Sequence, residues 1–134
     1  PEDPADGIQA AVDPNWDDVD DFEPILAYHQ KDTKDKDSAF AKFAQGKMRV
    51  QRSKDGKSHR MLMRDKTGLK VLLNMKVSAA MELKWKETGK SRGVDFGELT
   101  FYGTNKEERD YELIRLLTAV SVGEPLHTQL QALC

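Results

Sequence analysis

The sequence predicts one mainly β domain, a curled antiparallel sheet or barrel of about seven strands with one C-terminal α-helix. Three observations predict it. Apolar and polar residues alternate through the centre of the chain, most clearly over residues 69–77, and this is the period of a half-buried strand. Turn sequences separate the alternating segments, and residues 124–133 carry leucines at helical spacing. The length of 134 residues is that of a single domain.

The chain is predicted to divide into an arm and a domain. Residues 1–21 are rich in Pro, Asp and Ala, so we expect a flexible acidic arm without a fold of its own, which Trp16 could dock onto the domain. Apolar residues become frequent from Phe22, and residues 22–134 are predicted to form the domain. The lysine and aspartate run at 31–37 predicts an exposed hairpin tip.

Successive hairpins should follow, with turns at Asp55-Gly56 and Lys66–Gly68. The strands are expected near residues 22–28, 47–50, 60–64, 69–77, 81–85, 94–102 and 111–118, with a further turn at 89–93. The inward positions hold all five methionines, which should fill the interior. The helix is predicted to open at Glu124, with Pro125 in its first turn and a leucine face that closes the sheet. This order of elements is that of a pleckstrin-homology-like barrel.

Sequence signals for catalysis or cofactor binding are missing. Gly56-Lys57-Ser58 and Gly89-Lys90-Ser91 lack the earlier glycine of a phosphate-binding loop. The three histidines do not have metal-ligand spacing, and the single cysteine, Cys134, excludes an internal disulfide or a cysteine zinc cluster. No nucleophile and base motif is recognisable. We therefore expect a protein that is not an enzyme and needs no cofactor or metal.

The net charge of −2 conceals a polarised chain. Residues 1–30 contain nine acidic residues and no lysine or arginine, whereas residues 42–70 contain ten basic and two acidic residues. Two such regions could neutralise each other within the molecule, or each could meet the opposite charge on a partner.

Residues 60–84 resemble the Ran-binding domain family. The segment Arg60–Val71 is similar to the family's "R-L-L-M-R-R-D-K-T-L-K" strand pair, and it continues to an Asn-containing strand and a "M-E-L-K" ending at Lys84. A looser likeness covers about residues 22–134 and includes Gly46–Val50 and Tyr111–Arg115. The family's tryptophan motifs are missing from residues 43–46 and 90–97, a divergence that resembles members found in nuclear-pore and transport proteins.

The resemblance implies a non-catalytic module that binds the small GTPase Ran in its GTP form during nucleocytoplasmic transport. In the family, the acidic tail of the GTPase lies on a basic face of the domain, and an acidic arm of the domain meets a basic patch on the GTPase. By position, the residues expected to contact the tail are Lys47, Arg49, Arg60, Arg64, Asn74 and Lys76. Those expected in the arm are Asp17, Asp18, Asp20, Asp21 and Glu23. Arg60 and Arg64 are expected to face outward.

The resemblance also implies a nuclear or nuclear-pore location, with shuttling to the cytoplasm and with importins or exportins as further partners. The alternative is a pleckstrin-homology-like module that binds a peptide or an acidic phosphoinositide lipid, since basic residues lie between the first strands. Nucleic acid ranks third, because the basic segment lacks interleaved aromatic residues and the acidic arm would compete for it. We expect neither nucleic acid nor a membrane as partner.

Overall fold

The computed structural model describes residues 14–30, 39–104 and 111–133. Its elements are β1 (Trp16–Gln30), β2 (Phe40–Ser53), β3 (His59–Arg64), β4 (Val71–Lys76), a 3-10 turn (Ala79–Met81), β5 (Lys84–Ser91), β6 (Val94–Thr104), β7 (Tyr111–Ala119) and α1 (Val120–Leu133). The seven strands and the C-terminal helix that the sequence predicts are confirmed. The predicted hairpin tip at 31–37, residues 1–13 of the arm and Cys134 lie outside the described residues.

The strands form one antiparallel sheet in the order β4-β3-β2-β1-β7-β6-β5. The sheet curls until its two halves meet, since Met75 on β4 packs directly against Gly103 on β6, and the 3-10 turn contacts β6. Helix α1 packs on β6, β1, β5 and β7. It therefore closes one end of the curled sheet, as predicted.

The core is formed by the side chains that point into the curl. Five methionines, Met48, Met61, Met63, Met75 and Met81, are all buried, which confirms their predicted role. The other buried apolar residues of this core are Phe22, Ile25, Ala27, Ala44, Val50, Leu73, Val77, Leu99, Phe101, Ile114, Leu116, Leu126 and Leu130. Unbranched methionines fill an irregular interior well because their side chains have three rotatable bonds.

Helix α1 begins four residues before the predicted start, so the prediction that Pro125 lies in the first turn is wrong. The strand β7 runs directly into the helix, and Gly123 allows the ring of Trp85 to lie against the helix backbone. Pro125 lies inside the helix, where it removes one intrahelical hydrogen bond. Leu126 and Leu130 are fully buried, as predicted.

Two boundaries also differ from the sequence-based prediction. The turn expected at 89–93 is confined to Arg92-Gly93, where both residues have positive φ (50° and 80°), as a tight hairpin of two residues requires. At the N-terminus, β1 begins at Trp16, whereas the predicted arm extends to residue 21. β1 therefore includes residues 16–21, which were expected to be flexible, and all of them except Val19 pair with β2. Across the described parts of the chain, no helix has the length and apolarity that a membrane span requires.

Candidate partner-binding face

The outer surface of β2, β3 and β4 brings together all six residues that the sequence predicts for an acidic partner. We call this surface the basic face; its predicted members are Lys47, Arg49, Arg60, Arg64, Asn74 and Lys76. The register places Gln51, Arg60 and Lys76 in one cross-strand row. Arg49, Leu62 and Asn74 form the next row. Residues in such a row point to the same side of the sheet, so strand alternation is what assembles the face.

Arg60 lies on the outer side of the sheet, as expected, but it is buried there, so the expectation that it faces solvent is wrong. Its residue is only 9% exposed. Its Nε donates a 2.8 Å hydrogen bond to Gln51 Oε1, and its guanidinium lies 4.3 Å from the ring centroid of Trp16. Trp16 reaches Arg60 because β1 begins at Trp16, before the predicted start of the domain at residue 22, and pairs with β2 from that point. A charge reversal at Arg60 would therefore place a carboxylate in a buried site, and it would disturb folding as well as binding.

Arg49 is an accessible cation of the basic face, on β2 beside β1. Its Nε donates to Asp21 Oδ1 at 2.8 Å and its Nη2 to Asp21 Oδ2 at 3.3 Å. A third contact joins Arg49 Nη1 to Asp18 Oδ2 at 3.3 Å. The side chain remains 29% exposed, so the guanidinium can still be reached from solvent.

The acidic residues predicted for the arm lie along the N-terminal half of β1. Asp17 pairs with Lys54, and Asp21 lies 3.8 Å from Lys47 Nζ in addition to its contacts with Arg49. Asp20 and Glu23 are exposed. Of the two alternatives that the charge pattern left open, the structure shows neutralisation within the molecule for Asp17, Asp18 and Asp21.

The hydrogen bond from Arg49 lowers the pKa of the Asp21 carboxyl below its usual range, although partial burial opposes this effect. A depressed pKa in the folded state means that the pair stabilises the fold above the unfolded-state pKa of about 3.9. This contribution is lost as the pH falls through the lower folded-state pKa. The Asp21 side chain is 38% exposed, so solvent screening limits the contribution to at most about 1 kcal/mol.

We expect Asp21→Asn to lower the free energy of unfolding at about pH 7 by up to about 1 kcal/mol, because the ion pair is lost. Below the folded-state pKa the wild-type carboxyl is itself protonated, so the two proteins should converge there. Urea unfolding at neutral and acidic pH measures the difference. An equal loss at both pH values would show that the pair has no role in pH-dependent stability.

A surface cavity of about 490 Å³ opens beside Arg49 at the end of the basic face. It is lined by Gln45, Gly46, Lys47, Arg49, Leu62, Arg64, Asp65, Lys66, Thr67 and Gly68. The β3–β4 turn that borders it is fixed by Asp65, whose Oδ1 accepts hydrogen bonds from the backbone N–H and the hydroxyl of Thr67. Leu62 is 3% exposed and supplies an apolar wall between cations. Such a lining suits carboxylates attached to a partly apolar chain.

Sequence reasoning missed the contribution of Gln51 and Leu62 to this site. Gln51 links the acidic strand to the basic face. Its Nε2 donates a hydrogen bond to Asp18 Oδ1 at 2.8 Å, and its Oε1 accepts one from Arg60. Its alternation with Met48 and Val50 could have placed it on the outer face. No local signal predicts that it is buried there, because its cover comes from a different strand.

Comparisons with known proteins agree with this fold. A family model described as RanBP1 domain matches residues 28–119, more than half of the chain. Among solved structures, the chain is similar to the Ran-binding domain of the nuclear complex component Nup2 from Ashbya gossypii, with a TM-score of 0.61 and 16% identity over 89% of this chain and 95% of that one. This likeness confirms the predicted pleckstrin-homology-like fold. No curated protein matches the chain in sequence.

Proposed function

The chain belongs to the RanBP1 domain family, and from this membership we propose that it is a non-catalytic module that binds the GTP-bound form of the small GTPase Ran. The observation that carries the proposal is the basic face. Its residues lie in cross-strand rows on three adjacent strands, with Arg60 opposite Lys76 and Arg49 opposite Leu62, and a cavity beside them has an apolar wall. The acidic tail that the family resemblance implies for Ran matches this surface in charge.

The nucleotide state would be sensed indirectly. A flexible acidic tail can occupy the basic face only when it is released from the body of the GTPase, and the γ-phosphate controls order and disorder in the switch segments. Arg49 and Arg64 suit the tail because a planar guanidinium pairs with a carboxylate through two hydrogen bonds. Asp20 and Glu23, which are exposed, are the arm residues available to a basic patch on Ran.

The proposed setting is nucleocytoplasmic transport, at the nuclear pore or in the nucleus with shuttling to the cytoplasm. The solved relative is a domain of a nuclear complex component, which supports this setting by analogy. In that setting the module would assemble or dismantle transport complexes, with importins or exportins as further partners.

Calorimetric titration with three forms of Ran tests the proposal. We expect tight binding of Ran loaded with a non-hydrolysable GTP analogue, and affinities lower by about a hundredfold for Ran·GDP and for tail-deleted Ran·GTP. Equal affinity for all three forms, or no binding to any of them, would contradict the mechanism.

The cavity also favours a second candidate function, the binding of a phosphoinositide headgroup. Lys47, Arg49, Arg64 and Lys66 line one opening, and clustered cations of this kind bind phosphates. Co-sedimentation with phosphatidylcholine vesicles, with and without phosphatidylinositol bisphosphate, separates the two functions. Strong retention on the phosphoinositide vesicles together with no affinity for Ran would favour the lipid.

A further inference from the structure

The N-terminal half of β1 is paired on one side. Residues Trp16–Phe22 pair with β2, while the register between β1 and β7 covers Leu26–Gln30. An irregularity in the β1–β2 register lies between Phe22 and Ile25, so it separates the two halves of the strand. The first half can therefore leave β2 without opening the β1–β7 pairing that holds the curled sheet together.

This half of β1 occupies the basic face with its own carboxylates. Asp21 makes two hydrogen bonds to Arg49, and Asp18 contacts Arg49 and Gln51. These carboxylates occupy positions that the carboxylates of an acidic ligand would need. An incoming acidic segment must compete with them for Arg49.

Trp16 covers a further residue of the basic face, Arg60, which lies in the cross-strand row next to that of Arg49. Its ring lies 4.3 Å from the guanidinium carbon of Arg60, which is only 9% exposed. Detachment of Trp16 would expose a further cation to a ligand. The face therefore presents less positive charge in this structure than its sequence provides.

Apart from the Trp16 ring, which packs on Arg60, little apolar surface holds the segment in place. Asp18, Val19, Asp20 and Asp21 are all exposed, and ion pairs between exposed groups are weak. The first well-buried apolar side chain of β1 is Phe22, at 7% exposure. Phe22 is thus placed to anchor the strand at the point where a detached segment would swing away.

We propose that Trp16–Asp21 is a displaceable acidic strap, which covers the basic face and is exchanged for an acidic segment of the partner. The identity of that partner rests on the proposed function; the exchange itself does not. In the exchange, the partner's carboxylates take over Arg49, and the strap carboxylates become free to meet a basic surface. The strap makes binding selective, because a weakly acidic ligand cannot displace it.

The test is the affinity of the full chain for a hexaglutamate peptide. We expect the double variant Asp18→Asn and Asp21→Asn to bind the peptide about fivefold more tightly than wild type, because the ion pairs of these carboxylates with Arg49 and Lys47 no longer compete. The matched control is Glu87→Gln with Asp95→Asn. It changes the net charge equally on β5 and β6, outside the basic face, and should alter the affinity by less than about twofold.

Hydrogen exchange provides a second measurement, whose result would not change if the two substitutions acted only through the net charge of the protein. Saturating hexaglutamate should reduce the protection of the amides in Trp16–Asp21, while the amides in Leu26–Gln30 keep theirs. The proposal is overturned if the double variant binds hexaglutamate no better than the control, if neither it nor wild type binds, or if the strap amides stay equally protected.

Parallel titrations with Ran·GTP separate the two proposals. Tighter hexaglutamate binding by the double variant, with no affinity of any protein for Ran, would support the strap and reject the proposed function. If wild type binds Ran·GTP but the double variant binds hexaglutamate no more tightly than wild type does, the proposed function is supported and the strap is rejected. The affinity of the double variant for Ran·GTP does not test the strap, because Asp18 and Asp21 are themselves predicted to contact Ran after the exchange.

Discussion

We expect Arg49→Glu to weaken the binding of Ran·GTP by about a hundredfold or more. Arg49 lies on the basic face, where it contacts Asp21 and lines the cavity. Charge reversal removes a bidentate donor and adds a carboxylate that repels an acidic tail. The fold should tolerate the change, because Arg49 is partly exposed and surface pairs contribute about 1 kcal/mol or less.

Arg52→Glu is the matched control for this change. Arg52 lies on the same strand and is exposed, and its spacing of three residues from Arg49 directs it to the other side of the sheet. The control makes the same change in net charge, and we expect a loss of less than about fivefold. Similar losses for both variants would mean that net charge, and not the basic face, determines binding.

Leu130→Ala should lower the free energy of unfolding by about 3 kcal/mol. Leu130 is fully buried on the face of α1 that closes the curled sheet. Truncation removes buried apolar surface and leaves a cavity that the rigid sheet cannot fill. Chemical denaturation measures the loss, with the exposed neighbour Gln131→Ala as control, for which we expect a change within about 0.5 kcal/mol.

The folded fraction of the Leu130 variant should bind Ran·GTP with unchanged affinity, because the basic face lies on β2–β4 and α1 packs on other strands. A loss of stability below about 1 kcal/mol would show that the helix does not close the core. A loss of affinity for Ran·GTP without a loss of stability would indicate that the binding surface includes the helix.

Local patterns were sufficient to predict most of the fold. Period-two alternation in 60–64 and 69–77 identified β3 and β4, and it placed Met61, Met63 and Met75 inside. The helix start was missed because no local rule places Gly123 in a helix. Its position depends on the Trp85 ring, which comes from a distant strand.

The candidate site was predictable only in part, for a similar reason. Alternation correctly placed Arg49, Asn74 and Lys76 on one face of the sheet. It assigned Arg60 to the same face but could not show that Trp16 covers it. The pairing of Asp21 with Arg49 joins residues 28 positions apart. The charge pattern therefore indicated that the two regions could neutralise each other, but it could not identify which residues pair.

The most direct test of the basic face as the site for the acidic tail of Ran is a double-mutant cycle measured by calorimetry. It combines wild-type and Arg49→Glu domains with intact and tail-deleted Ran·GTP. If the tail binds Arg49, the substitution should cost about a hundredfold in affinity for intact Ran·GTP and less than about threefold for the tail-deleted form. An equal loss with both forms of Ran would show that Arg49 and the tail act independently, and it would contradict the account.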